Sequence, residues 1–151
     1  MEIRPITLED FNRYRTNFVS LFTVALSLNF PNNDAGTEAL SYFEKMYQFF
    51  IDGSAIVLVT LINNELAGFN WAHEVNVFGQ RRLHSDFIIV DEKYQNQGIA
   101  KALLAKIEIE AKQRNINYVE ALCSVSNEIA VNYHLKNGFA VERLKVVKEL
   151  K

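Results

Sequence analysis

The stretch from Leu83 to Gln113 changes its apolar period halfway, and this change constrains the fold more than any other feature of the chain. "LHSDFIIV" (83–90) reads as a central strand, with His84, Asp86, Ile88 and Val90 on one face and Ser85, Phe87 and Ile89 on the other. From Ile99 the spacing is helical: Ile99, Leu103 and Ile107 recur on one side, while Lys101, Lys106, Glu108, Lys112 and Arg114 fall mostly on the other. Between the two lies Gln95-Asn96-Gln97-Gly98, one glycine among three side-chain amides. A turn of this kind opens a helix N-terminus, where about four N–H groups lack partners and roughly half a positive charge accumulates. Gly98 lets an anion approach the backbone without meeting a Cβ, and small Ala100 keeps the first turn accessible. The junction therefore predicts phosphate binding by backbone.

Other phosphate loops do not fit. A P-loop needs two glycines bracketing four residues before Lys-Ser/Thr, and the dinucleotide fingerprint needs three glycines. The formal net charge of -2 over 151 residues gives no basic field to gather nucleic acid, so phosphate recognition must be local. Cys123 is the only cysteine, in an apolar run that reads as a buried strand, which suits a reducing, cytoplasmic setting. "FVSLFTVALSLNF" is too short and too polar to span a bilayer, and reads as a core helix rather than an export signal. No membrane partner is expected. His73, His84 and His134 fall on separate elements without ligand spacing, so no metal site is expected.

The remaining elements read in order. "MEIRPIT" suits a short edge strand, since Pro5 excludes a helix. Thr7 offers an N-cap, with Asp10 completing an imperfect capping box, for a helix from about residue 8 to 28. A second helix runs through "TEALSYFEKMYQFFID" and ends before Gly53. "AIVLVTLI" and "ELAGFNWAHEV" form a hairpin about Asn63-Asn64. After the amphipathic helix come the strand "YVEALCSV", a short helix "EIAVNYHLKN" closed by Gly138, and a terminal strand "FAVERLKVVKEL". The order β-α-α-β-β-β-α-β-α-β, without repeats or linkers, reads as one α/β domain over residues 1–151.

Two motifs in this order resemble the GNAT family of N-acetyltransferases. The family signature Gln/Arg-x-x-Gly-x-Gly/Ala is matched by Gln95, Gly98 and Ala100, following the apolar-Val pair Ile89-Val90. A downstream pattern of Asn, Ala, Tyr and Gly-Phe is matched by Asn127, Ala130, Tyr133, Gly138 and Phe139. The resemblance implies an acyl-CoA N-acyltransferase fold, a single mixed, mostly antiparallel sheet with helices on both faces. It implies acetyl-CoA as cosubstrate, with the pyrophosphate held in the loop Gln95-Asn96-Gln97 by the backbone N–H groups of Gln97, Gly98, Ile99, Ala100 and Lys101. The pantetheine arm would lie along the strand ending at Val90, and the thioester carbonyl would accept from backbone near Ile88, Ile89 and Val90. Asn127 would add a polar contact to the arm.

The chain departs from the family at one point that bears on proton transfer. Four residues before Gly138, where the family usually has a tyrosine that protonates the departing thiolate, stands His134, with Tyr133 beside it. Both are candidate acids. A rotation of about 100° per helical residue leads us to expect only one of them in the cleft. Candidate bases are His84 and Asp86, with Glu74 behind them, and Asp86 would orient His84 or attract a cationic amine. Cys123 reads as an inert core residue rather than a nucleophile. The acceptor, a small-molecule or peptide amine, is expected between the two N-terminal helices and "GFNWAHEVNVFGQRR", where Arg81-Arg82 would meet an anionic group. A homodimer is compatible with the resemblance. A non-catalytic acyl-CoA-binding module is the second reading, and a plain α/β interaction domain the third.

Overall fold

Five strands lie in chain order in one sheet of the computed structural model, which describes residues 1–151. They are β1 (Glu2–Pro5), β2 (Ile56–Ile62), β3 (Glu65–Val77), β4 (Gln80–Val90) and β5 (Val119–Ala121). The first four pair antiparallel, and β5 joins β4 in parallel. Helices α1 (Leu8–Arg13), α2 (Arg15–Asn29) and α3 (Ala35–Ile51) cover one face, burying Phe18, Phe22, Phe43 and Met46 against Val59, Phe69 and Trp71. Helix α4 (Ile99–Gln113) covers the other, packing Ile99, Leu103 and Ile107 against Leu58, Ala67 and Leu83. Helix α5 (Glu128–Lys136) follows β5. The mixed, mostly antiparallel sheet with helices on both faces is the fold class the sequence predicts. No helix is long and apolar enough to cross a membrane.

The capping box is complete. The Thr7 hydroxyl accepts from the Asp10 N–H at 3.3 Å, and the Asp10 carboxylate accepts from the Thr7 N–H at 2.7 Å. The same carboxylate takes the Arg4 guanidinium at 2.6 and 3.0 Å, which ties β1 to α1. The expected helix 8–28 instead bends at Tyr14 (φ -108°, ψ 16°), although the helical hydrogen-bond ladder runs through the bend. A tertiary contact sets the bend: the buried Tyr14 ring carries its hydroxyl to the Asn64 carbonyl at 2.8 Å.

Asn63 (φ 50°) and Asn64 (φ 62°) are both left-handed, so the β2–β3 hairpin closes with the turn that matches sheet twist. The β3–β4 ladder slips between Trp71–Phe87 and Ala72–Ser85, leaving Asp86 without a partner. One extra residue reverses the face of all that follows. The expected alternation is therefore corrected. His84, which faces His73, and the bulged Asp86 share the α2–α3 face with Phe87 and Ile89, while Ser85, Ile88 and Val90 turn toward α4.

Two further expectations change at the end of the chain. The strand expected over 118–125 keeps only three residues, and residues 139–151 form neither helix nor strand. β5 pairs with β4 over only three positions, and the tail's apolar residues Val141, Leu144, Val146, Val147 and Leu150 do not alternate as a half-buried strand requires.

Two predictions test this frame. A Cβ at Gly68 would lie 2.7 Å from the Ile89 carbonyl oxygen, so Gly68→Ala should cost about 1–3 kcal/mol in urea denaturation by pushing β3 from β4. The Arg4 guanidinium holds the Asp10 carboxyl down to about 2 against the opposing effect of burial. A depressed acid stabilises the fold above its unfolded value of about 3.9 and loses that stabilisation as pH falls toward the folded value. Asp10→Ala should therefore cost about 2–3 kcal/mol at neutral pH and flatten the acid limb of stability.

Candidate active site

The β4–β5 ladder ends at Ser85–Ala121, and beyond it the two strands part. The gap is a cleft of about 400 Å³. Its walls are Ser85–Val90 of β4, the start of α4, residues 121–123, and Asn127, Tyr133 and His134 beside or on α5. Val24, Ala25, Leu28 and Asn29 of α2 close one end. Of the residues singled out in the sequence, Asp86, Ile88, Ile89, Val90, Gln95, Asn96, Gly98, Ile99, Ala100, Lys101, Asn127, Tyr133 and His134 meet here. Gln97, His84 and Glu74 are not in the lining.

The loop is built from left-handed turns. Asn96 (φ 62°) and Gly98 (φ 78°) both lie in the region that L side chains avoid, which asparagine tolerates and glycine adopts freely. A Cβ at Gly98 would meet no atom within 4 Å, so backbone conformation, not space, requires the glycine. The Asp91 carboxylate caps the 3₁₀ turn Glu92–Tyr94 through the Lys93 N–H at 2.9 Å, and Lys93 and Tyr94 both reach Glu65. Side chains of Thr7, Asp34 and Asn127 cap α1, α3 and α5, but none caps α4. The N–H groups at the start of α4 are left for an anion.

On the α5 wall both Tyr133 and His134 line the cleft, against the expectation that only one would. His134 Nδ1 lies 2.7 Å from the Ala130 carbonyl. A carbonyl only accepts, so Nδ1 carries the proton and Nε2 is the uncommitted nitrogen. Cys123 Sγ lies 3.4 Å from that same Nδ1, which cannot serve as its base, and burial pushes the thiol up from its ordinary range. The Tyr133 hydroxyl is buried without a hydrogen-bond partner, and burial, with Glu108 nearby, raises its pKa. Asn127 is already engaged: Oδ1 accepts from the Ala130 N–H and Nδ2 donates to Asn29 Oδ1, each at 3.3 Å.

On the β4 wall the bulge turns Asp86 into the cleft. Its Oδ2 lies 2.5 Å from His73 Nδ1, and its Oδ1 lies 3.9 Å from His84 Nε2. His84 Nδ1 in turn meets Glu120 at 2.8 Å. Burial pushes the Asp86 carboxyl up, outweighing the two imidazoles that pull it down. His73 was not singled out by sequence; in-register pairing of the two strands, which sets it opposite His84, is the signal that would find it. Glu74 faces α4 instead, between Arg81 at 3.0 Å and Arg114 at 3.2 Å, and these pairs lower its pKa. Arg82 is likewise engaged, by Glu142 at 2.6 and 2.7 Å. Phe69 and Trp71 belong to the core.

Solved structures share this fold over nearly the whole chain. The ribosomal-protein-alanine N-acetyltransferase of Brucella melitensis biovar Abortus aligns with a TM-score of 0.71 at 18% identity, covering 99% of this chain and 100% of that one. An aminoglycoside acetyltransferase from an uncultured soil metagenomic sample aligns at 0.73 and 16%, covering 99% and 95%. A transcriptional regulator from Bacillus halodurans aligns at 0.74 and 15%, covering 99% of each, so the likeness is one of fold. A 61-residue stretch is 33% identical to the uncharacterised protein YxbD of Bacillus subtilis, spanning 40% of this chain and 38% of that relative. The chain belongs to the Acetyltransferase (GNAT) family, whose sequence model matches residues 19–139.

The loop geometry separates two substitutions. Gly98→Ala should cost about 1–2 kcal/mol through its positive φ alone, whereas Asn96→Gly should be neutral or better in thermal unfolding.

Proposed function

We propose that the protein is an N-acetyltransferase that passes an acetyl group from acetyl-CoA to a primary amine by direct attack in a ternary complex. The observation that carries this reading is the meeting, in one cleft, of an uncapped α4 start with the orphaned, buried Tyr133 hydroxyl. One end fits a pyrophosphate and the other offers a hydroxyl with no partner within the protein. Bound acetyl-CoA supplies an activated thioester: the amine nitrogen forms a bond to its carbonyl carbon and the carbon–sulfur bond breaks.

The residues of the chain then do the following. Backbone N–H groups from Gln97 to Lys101 hold the pyrophosphate, Gly98 and Ala100 leaving them open. Backbone of Ile88–Val90, which has no strand partner on the β5 side, lies along the arm and donates to the carbonyl oxygen as charge develops there. Asp86, made more basic by burial and lining the cleft, takes the proton of the attacking amine, and His73 and His84 steady the carboxylate. The leaving thiolate receives its proton from the Tyr133–His134 pair, through the Tyr133 hydroxyl or His134 Nε2. Asn127 keeps α5 in place through its cap rather than through a free amide. The acceptor, a small-molecule or peptide amine, enters beside α2.

The test is thiol release from acetyl-CoA with a panel of amines. Asp86→Asn should lower kcat by about 10²-fold or more and remove the acid limb of its pH profile, because a raised acid loses base function as pH falls through its pKa. Tyr133→Phe and His134→Phe should divide the proton donor between them, and full turnover in both would rule out the pair. Binding of acetyl-CoA without thiol release from any amine would instead leave a non-catalytic acyl-CoA-binding module.

A further inference from the structure

An amine nitrogen that gives its proton to Asp86 must come close to that carboxylate, and the charges of the cleft restrict what else the amine can carry. Asp86 is the only carboxylate in the lining, and the only lysine there, Lys101, stands in the first turn of α4. Glu120, next in sequence to the lining residue Ala121, is spent on His84 at 2.8 Å and Arg82 at 3.5 Å. Glu128, in the first turn of α5, is exposed and outside the lining. The cleft can therefore pair one ammonium group at a time.

Its neutral polar groups are largely taken as well. Asn29 Nδ2 donates to the Ala25 carbonyl at 3.1 Å, while Asn29 Oδ1 accepts from the Ser124 N–H at 3.4 Å and from Asn127 Nδ2 at 3.3 Å. Ser85 Oγ accepts from Asn70 Nδ2 at 2.8 Å. The unpaired backbone of Ile88–Val90 is the stretch along which the arm of the cosubstrate lies. A hydroxyl-rich or peptide acceptor must exchange its water for protein partners, and it would find few here.

What is free is apolar. Val24 and Leu28 lie one turn apart on α2, line the cleft, and are 53% and 47% exposed. Phe87, which follows Asp86 on β4, lines it too. Its ring is stacked on Trp71 with centroids 5.9 Å apart, and meets Phe22 and Tyr42 edge-on at 5.1 and 5.4 Å. One carboxylate beside a backed aromatic ring and an aliphatic helix turn matches a single charge on an apolar body.

We propose that the acceptor is a small monoamine with an alkyl or arylalkyl body, its nitrogen at Asp86 and its body against Phe87, Val24 and Leu28. A second ammonium group, as in a polyamine or an aminoglycoside, would lie on Leu28 rather than in water, with no carboxylate to pair it. The placement of the nitrogen rests on the acetyl-transfer reading.

The test compares n-hexylamine with hexamethylenediamine, which has the same length and one more charge. Thiol release from acetyl-CoA gives kcat/KM for each, and calorimetry of each amine into the protein saturated with CoA reads binding without transfer. n-Hexylamine should be preferred by about tenfold or more in both measurements. From n-propylamine to n-hexylamine, kcat/KM should rise about threefold per methylene. Leu28→Asp or Val24→Asp, each on an exposed position of α2, should remove the preference by weakening the monoamine and favouring the diamine. A wild-type preference for the diamine, or a preference that neither substitution moves, overturns the inference while leaving acetyl transfer intact. Selective binding of n-hexylamine without thiol release supports the ligand class and instead removes the transfer reading. Failure of n-hexylamine to bind or to react overturns the inference.

Discussion

Strand β4 has a neighbour on each side over Leu83–Ser85 and only one beyond Ser85, and the cleft depends on that loss. Backbone N–H and C=O groups without a ladder partner must be met by something else, so the β5 side of Asp86–Val90 becomes a surface for a ligand rather than for a strand. The bulge at Asp86 falls at this same place, and bulges increase twist and re-aim a side chain. What keeps the half-freed strand in position is its other neighbour: Gly68 lets β3 come close against the Ile89 carbonyl, and the Asp91 N–H donates to Ala67 at 2.9 Å. β3 is thus closely applied behind the opening.

Two aspartates show how environment divides one residue type between structure and chemistry. At Asp10 the charged hydrogen bond from Arg4 outweighs desolvation, and the carboxyl falls to about 2. At Asp86 desolvation outweighs two imidazoles, and the carboxyl rises. A guanidinium is always charged, whereas an imidazole can be neutral and then gives the carboxylate it faces less support. The first arrangement locks a helix to a strand. The second leaves a carboxyl that holds a proton more readily than a free aspartate does, and it is this one that lines the cleft.

Most of the frame was legible because it follows from period and turn chemistry. Asn63-Asn64 announces a hairpin, and the spacing of Ile99, Leu103 and Ile107 a helix that begins after Gly98, whereas the left-handed φ of Gly98 is visible only in the structure. The faces of β4 were not legible beyond Ser85, because a single bulged residue reverses them and no residue type at Asp86 signals a bulge. This is why His84 and Asp86 were rightly put together while Ile88 and Val90 were wrongly joined to them. Glu74 looked equivalent to them along the sequence, but it lies on the opposite face, where Arg81 and Arg114 hold it. Tyr14 bent a helix through a hydroxyl contact fifty residues away, a constraint local propensity does not carry. The short β5 and the tail are not legible in the same way, because β5 pairs with β4 over only three positions and the tail's apolar residues do not alternate.

The displaced tyrosine has a specific chemical consequence. His134 spends Nδ1 on the carbonyl four residues back along its own helix, with its ring edge-on to Phe139, so only Nε2 can face a ligand. In the neutral ring that nitrogen is an acceptor, and it donates only as the imidazolium. Tyr133 holds its proton more firmly than a free phenol does, and its hydroxyl has no competing partner. Tyr133 is thus a phenol that burial keeps protonated and that has no rival acceptor, one residue away from the position where the family carries its tyrosine. A hydroxyl of the family's chemical type still lines the cleft, even though His134 occupies the family's tyrosine position.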